Sequence, residues 1–185
     1  MLSFHTKQQL FYYGECGDSI TWSNDYNSDV LVLSGTGAMW NYDYRDLPAW
    51  DSYRIKTIHI PDGITSIGDH AFSSFKKMTS VSLPNSITHF GKYAFFSTEL
   101  TSVTIPNFAY IDSYTFSRCI ALSSVTIPDT VPFIGHDAFY NILVNSYNEY
   151  DNGLYLGNEF NPYSVLIIYK DISITSLHSF QYELI

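Results

Sequence analysis

The chain repeats one pattern four times between Ile55 and Phe139, and this repetition constrains its fold more than any other feature. Each unit carries a proline after a short apolar run and a phenylalanine further on. The prolines are spaced by 23, 22 and 22 residues. They are Pro61, Pro84, Pro106 and Pro128, and the phenylalanines are Phe72, Phe95, Phe116 and Phe139. A period in the low twenties is typical of a solenoid, whose coils bury a shared core by stacking.

Each unit begins with an alternating run that ends at the proline, as in Ser102-Val103-Thr104-Ile105-Pro106. Alternation of β-branched and polar residues predicts a strand with one buried face. Proline lacks the N–H that a parallel ladder needs, so it ends the strand at the same place in every coil. We therefore expect a parallel sheet with these buried residues: Ile58, Ile60, Val81, Leu83, Val103, Ile105, Val125 and Ile127.

A second extended segment follows each proline and ends at a recurring small or polar residue. Gly68, Gly91 and Gly135 occupy this position, and Asp112 occupies it in the third unit. Because Asp is one of the few other residues that adopt a left-handed backbone, the pattern predicts that conformation there. The repeated phenylalanine comes next, and we expect it to fill the coil interior from a helical turn. The predicted fold class is α/β, a solenoid with a parallel sheet.

The two ends of the chain differ from the repeats. Ile20 to Trp22 and Val30 to Leu33 predict an antiparallel hairpin, so residues 1–54 are interpreted as a β-hairpin cap that covers the first coil. The glycines of Ser34-Gly35-Thr36-Gly37 lack the lysine and the spacing of a phosphate loop, so we assign them to turns. Residues 55–139 are the four repeats of 22–23 residues, and all three parts make one domain.

Residues 140–185 are predicted to hold a hairpin insertion and a degenerate C-terminal repeat. Asn152-Gly153 is a strong hairpin turn signal between residues suited to strands. Leu166 to Tyr169 and Ile174 to Leu177 then predict a degenerate coil that ends at Phe180. The insertion is interpreted either as a specificity loop or as a spacer. The C-terminal edge of the solenoid is interpreted as uncapped.

Composition excludes several classes of protein. The net charge is −9, which provides no electrostatic footprint for nucleic acid or anionic lipid. No run of 18 apolar residues predicts a membrane span, and no signal peptide is visible at the N-terminus. Cys16 and Cys119 should remain free thiols, because about three coil steps of roughly 4.8 Å separate them.

We find no arrangement of residues that predicts catalysis, a metal site or a cofactor. The six histidines are scattered, Gly-x-Ser-x-Gly is missing, and Asp43, Asp46 and Asp51 fit a solvated loop. The oxygen-rich segment Ser23 to Asp29 lacks the terminal Glu of a calcium loop. The chain is therefore predicted not to be an enzyme.

Several phrases of the sequence resemble one known family. LTSVTIPN with its following Ile and Phe, CGDSITW, LSGTGAM and NGLYLGNEFNPYSVL together resemble BspA-like leucine-rich repeat surface proteins of mucosal bacteria and protist parasites. The resemblance extends from Gly14 to about Phe180. It implies a right-handed leucine-rich repeat solenoid, display at the cell surface or outside the cell, and adhesion to host matrix proteins or other cells. It implies no catalytic residues.

The leading interpretation is a protein-binding module of the adhesin type. The alternative is a structural solenoid that self-associates through its uncapped C-terminal edge. The small hydroxyls between the buried strand residues predict two exposed ladders that fit a solvated face. Aromatic and arginine anchors are more typical of binding surfaces. The predicted contact residues are Tyr93, Tyr114, Arg118, Tyr147, Tyr150, Tyr155 and Tyr163.

Overall fold

A computed structural model describes residues 11–50, 52–128 and 130–142 with their side chains, and the backbone of three later strands. The strands are β1 (Phe11–Gly17), β2 (Ile20–Asp25), β3 (Val30–Gly35), β4 (Gly37–Ala38), β5 (Thr57–His59), β6 (Ile64–Ile67), β7 (His89–Phe90), β8 (Ser102–Thr104), β9 (Tyr110–Ile111), β10 (Ser124–Thr126), β11 (Phe133–Ile134), β12 (Asn148–Tyr150), β13 (Gly153–Leu156) and β14 (Val165–Tyr169).

The short strands after the prolines form one continuous parallel sheet. Its order is β11-β9-β7-β6-β4, with one strand from each coil. Phe90 pairs with Ile67 on one side and with Ile111 on the other. All three side chains are buried, because they face the interior of the coil. The coils therefore stack in the order of the sequence, as the repeat period predicts.

The strands before the prolines form a second sheet that is interrupted at the second unit. β8 pairs in parallel with β10, and β5 pairs with β3. Residues 80–83 form no strand, which contradicts the prediction for this unit. Among the described residues, their backbone groups make no hydrogen bond to either neighbouring coil, and Val81 and Leu83 are half-buried.

The interruption begins part of the way along the second unit. The C=O of Thr79 still accepts the N–H of Thr101 at 3.0 Å, so the register is lost only beyond Thr79.

The N-terminal segment contains a coil that the sequence did not suggest. The predicted hairpin strands β2 and β3 pair antiparallel, with Trp22 opposite Leu33, and β1 adds a further antiparallel strand. However, β3 also pairs in parallel with β5, and β4 pairs in parallel with β6. Residues 30–50 thus form a coil in front of the four repeats. That this segment acts as a cap stays a prediction, as does the hand of the solenoid.

The third side of each coil consists of turns, and no helix occurs in the part of the chain that the structure describes. The α component of the predicted α/β class is therefore not present there. In the first turn, the N–H of Ser73 donates to His70 C=O within the coil, while those of Phe72 and Ser74 donate to the next coil. A continuous helix would use all these N–H groups internally, so the bonds between coils exclude it.

The recurring glycines are not left-handed, contrary to the prediction. The left-handed residues lie two positions later and include His70 (φ 55°), Tyr93 (φ 58°) and Tyr114 (φ 63°). Glycine is required instead by the close approach of the coils. A Cβ on Gly68 would lie 1.8 Å from the carbonyl oxygen of Trp40, and one on Gly135 would lie 2.4 Å from the amide nitrogen of Ser113.

The repeated phenylalanines form a continuous column in the core, as predicted. Phe95 and Phe116 stack at 5.3 Å with their planes 2° apart, and Phe139 stacks on Phe116 at 5.3 Å. Trp50 extends the column by stacking on Phe72 at 5.6 Å, and its indole N–H donates to the C=O of Ala71 at 3.0 Å. Of the predicted strand residues, Ile58, Ile60, Val103, Ile105 and Ile127 are buried, and Val81, Leu83 and Val125 are half-buried.

Beyond residue 142, three strands form a separate antiparallel sheet. β12 pairs with β13 on either side of the predicted turn, with Tyr150 opposite Gly153. β14 pairs antiparallel with β13 and not in parallel with a preceding coil. The rest of the predicted degenerate coil, with Ile174 to Leu177 and Phe180, lies outside the described residues, as does the edge predicted for self-association.

Candidate functional site: an aromatic ridge

Left-handed backbone conformation places one aromatic side chain from each of three consecutive coils on the same outer corner. His70, Tyr93 and Tyr114 occupy equivalent positions, and each donates its N–H to the next coil, at 2.9, 3.4 and 3.0 Å. A left-handed conformation costs a non-glycine residue about 1–2 kcal/mol. The hydrogen bonds between coils hold it in place, so the three rings repeat with the period of the solenoid.

The rings on this corner stack along the solenoid axis. Tyr93 and Tyr114 lie 4.9 Å apart with their planes 3° apart, and His70 stacks on Tyr93 at 4.8 Å. His136 closes the row with an edge contact to Tyr114 at 5.7 Å. All four side chains are half-buried, so their ring edges face solvent while their faces contact one another.

A cation–π pair lies beside this row. The ring of Phe96 makes an edge contact with Tyr93 at 5.4 Å, and the guanidinium of Arg118 lies 5.8 Å from the centre of the Phe96 ring. The N–H of Arg118 also donates to the C=O of Tyr140 at 2.7 Å. We call the six residues of the row and this pair the aromatic ridge: His70, Tyr93, Phe96, Tyr114, Arg118 and His136.

Burial favours the uncharged form of two members of the ridge. Burial lowers the pKa of His70, although the nearby carboxylates of Asp69 and Asp43 act in the opposite direction. Burial, followed by the negative charge of Asp137, raises the pKa of Tyr114. The phenol therefore keeps its proton, and the fixed positive charge of the ridge comes from Arg118.

The ridge brings together the predicted contact residues whose side chains are described. Tyr93, Tyr114 and Arg118 belong to this one cluster. Tyr147, Tyr150, Tyr155 and Tyr163 lie outside the residues whose side chains the structure describes. The sequence analysis missed His70, Phe96 and His136. His70 lies two positions after Gly68 and His136 one position after Gly135, so the residues that follow the recurring glycines could have revealed both histidines.

The predicted hydroxyl ladder is exposed on the interrupted sheet. Ser102 pairs with Ser124 and Thr104 with Thr126, so neighbouring hydroxyls follow the axis. The exposed positions are Thr57, His59, Ser80, Ser82, Ser102, Thr104, Ser124 and Thr126. A shallow cleft of about 300 Å³ lies between the second and third coils, with Ser82 and Thr104 among its walls. This face carries no aromatic or arginine anchor in the described repeats.

The continuous sheet exposes a smaller mixed patch. His89 Nε2 lies 3.0 Å from Asp112 Oδ2, and Tyr110 stacks on Phe133 at 6.1 Å. Phe108, which is 66% exposed, and Phe133 are exceptions to the expectation that phenylalanines belong mostly to the core. The patch lies on a different side of the coil from the aromatic ridge.

Neither cysteine resembles a reactive thiol. Cys16 and Cys119 are both buried and unbridged. Burial raises the pKa of Cys16 to about 12 and raises that of Cys119, so both keep their protons. The Cys119 thiol donates to the C=O of Phe95 and contacts the Thr98 hydroxyl, both at 3.1 Å.

Two further features are missing from the described residues. No three His, Cys, Asp or Glu side chains converge there in a way that could hold a metal ion. Nor does that part of the chain contain a helix long and apolar enough to cross a membrane.

Comparison with known structures supports the repeat architecture. A leucine-rich repeat protein from Eubacterium ventriosum ATCC 27560 shares 25% identity with a TM-score of 0.58, over 79% of this chain and 48% of that one. The chain thus spans about half the length of that protein.

More distant structures include a leucine-rich repeat protein from Bacteroides ovatus ATCC 8483, with 19% identity, a TM-score of 0.45, and coverage of 67% of this chain and 44% of that one. A leucine rich cell surface protein from Faecalibacterium prausnitzii A2-165 shows 18% identity and a TM-score of 0.43, over 85% of this chain and 61% of that one. No protein of curated function matches this chain.

A family model of the BspA type leucine rich repeat region matches residues 49–164 in six copies, which is more than half of the 185 residues. The stacked coils, their phenylalanine column and the repeated SVTIP phrase agree with this match. The chain therefore belongs to the BspA type leucine rich repeat family.

Proposed function

We propose that this protein is a non-enzymatic binding module of the adhesin type, which contacts host matrix or cell-surface proteins and acts at the cell surface or outside the cell. The observation that carries the proposal is the aromatic ridge. The surface role and the class of partner are what the chain's resemblance to adhesive surface proteins implies. The ridge supplies the part of this chain that would make the contact.

The ridge has the composition and order of a binding hot spot. Residues that dominate binding energy are enriched in Tyr, Trp and Arg and cluster in well-packed positions. Here Tyr93, Tyr114 and Arg118 are held by stacking against neighbouring rings. Because these side chains are ordered before binding, less conformational entropy is lost when a partner covers them.

The competing surface is the hydroxyl ladder. Ser and Thr side chains there are exposed and small, and they offer hydrogen bonds without apolar anchors. Such residues are under-represented among hot spots. The ridge is therefore the better supported contact site, and the ladder fits a solvated sheet face.

The test compares two double variants in binding to immobilised extracellular-matrix extract. Tyr93→Asn with Tyr114→Asn removes both rings while keeping a residue that tolerates the left-handed backbone. Ser102→Lys with Thr104→Lys alters the ladder instead. We expect the ridge variant to lose at least about tenfold in binding, since two anchors of roughly 1–2 kcal/mol each are removed. Urea melts check that both variants remain folded.

Loss of binding in the ladder variant alone would place the contact on the sheet face. If the unaltered chain retains nothing from matrix extract or from intact host cells, the adhesin proposal itself is wrong.

A further inference from the structure

We infer that the aromatic ridge recognises an acidic polypeptide segment, whose carboxylate pairs with Arg118 and whose neighbouring apolar side chain rests on the rings beside it. This inference rests on the proposed function and specifies the chemistry of the partner. It follows from the geometry of one arginine and from the distribution of charge over the coils.

Arg118 is an exposed cation that is held against an aromatic ring. Its backbone N–H is bonded to Tyr140, and its guanidinium lies over the ring of Phe96. In the described part of the chain, no Asp or Glu lies within ion-pair distance of this guanidinium. A guanidinium presents five N–H donors in a planar fork that matches a carboxylate. The unpaired donors therefore favour a partner that supplies one.

The positive charges of the repeats lie on the same side of the coils as the ridge. Between residues 60 and 142 the chain has four Lys and Arg residues, namely Lys76, Lys77, Lys92 and Arg118, and all lie in the turn segments. Lys76 Nζ donates to the carbonyl and hydroxyl oxygens of Ser97, both at 2.7 Å. Ser97 and Arg118 occupy equivalent left-handed positions in successive coils. The ammonium of Lys76, which contacts Ser97, and the guanidinium of Arg118 are therefore neighbours along the axis.

Three acidic residues, Asp69, Glu99 and Asp137, lie on the same side of the coils. Asp69 Oδ1 accepts the N–H of Lys92 at 2.8 Å, and Asp137 Oδ2 lies 3.1 Å from His136 Nδ1. This side thus carries four cations against three carboxylates, while the protein as a whole carries a net charge of −9. This local contrast gives charge complementarity to an acidic segment, which the rest of the surface would repel.

The rings beside Arg118 add a requirement for apolar contact. Phe96 and Tyr93 are half-buried, and Tyr140 and Ile120 are exposed at 46% and 59%. A sulfated polysaccharide would use the cations but would leave this apolar surface uncovered. A polypeptide can place an aliphatic or aromatic side chain next to its carboxylate. We therefore assign an acidic peptide with an adjacent apolar residue as the ligand.

The experiment is selection of a randomised twelve-residue peptide library, displayed on phage, against the purified chain. We expect the enriched peptides to carry Asp or Glu next to an apolar residue. Synthetic versions are then titrated against Arg118→Gln and, as a matched control, Lys77→Gln, which removes an exposed cation from the turns of the first repeat. Arg118→Gln should weaken binding by about tenfold or more, and Lys77→Gln by less than about twofold.

Several results would overturn the inference. They are the absence of enrichment, enrichment without an excess of Asp and Glu, equal losses in the two variants, and heparin binding in place of peptide binding. If matrix binding depends on Tyr93 and Tyr114 but is unaffected by Arg118→Gln, the proposed function stands and the acidic partner is wrong.

Discussion

Replacing Phe116 by Ala should remove the central member of the aromatic column and destabilise the whole solenoid. Phe116 is fully buried and stacks between Phe95 and Phe139, at 5.3 Å from each ring. It also contacts Phe90 at 5.9 Å. Because every coil relies on its neighbours for burial, the loss should not remain local.

The magnitude follows from the buried ring. A buried Phe hides roughly 150–250 Å², which at about 25 cal/mol per Å² corresponds to about 4–6 kcal/mol relative to exposure. Alanine retains a small part of this, while the cavity adds a further penalty. Phe→Ala substitutions in well-packed cores cost about 3–5 kcal/mol, and we expect a value in this range for the free energy of unfolding.

Urea unfolding followed by circular dichroism measures the change. Phe108→Ala is a matched control in the same coil, since Phe108 is 66% exposed, and it should change stability by less than about 0.5 kcal/mol. A loss below about 1 kcal/mol for Phe116→Ala would remove this residue from the core and refute the stacking register.

Three further predictions concern backbone, packing and thiols. Amides of residues 80–83 should exchange with deuterium much faster than that of Ile105, which donates to the next coil at 2.9 Å; equal protection would mean that the sheet is unbroken. Gly91→Ala should cost about 1–3 kcal/mol in urea melts, because its Cβ would lie 2.6 Å from the amide nitrogen of Asp69, and an unchanged midpoint would refute the close approach. Both cysteines should react with a thiol reagent in denaturant without reduction but slowly in the folded protein, where burial raises the pKa of Cys16 to about 12; a bridge found by mass spectrometry would contradict this.

The stacking of the coils could be predicted from the sequence because the period itself encodes which residues become neighbours. Val103 and Val125, which lie 22 positions apart, pair across adjacent strands, and Phe95 and Phe116, which lie 21 positions apart, stack. The exposed hydroxyl ladders followed from the same alternation, since successive side chains on a strand face opposite sides.

Backbone conformation in the turns could not be predicted in the same way. From the sequence alone, either Gly68 or His70 could adopt a left-handed backbone, and glycine is the residue that usually does so. The neighbouring coils decide the outcome. The preceding coil approaches Gly68 so closely that a Cβ has no room, and the following coil accepts the N–H of His70, whose φ is 55°. The same bonds between coils replace the expected helical turn.

What the sequence by itself determined is therefore the repeat, the strand alternation, the phenylalanine column and membership of the family. The tertiary structure alone placed Trp50 on Phe72, broke the sheet at the second coil and gathered Tyr93, Tyr114 and Arg118 into one ridge. Periodicity specifies contacts between equivalent positions. Contacts between different positions depend on backbone hydrogen bonds from one coil to the next, and these exist only once the coils have stacked.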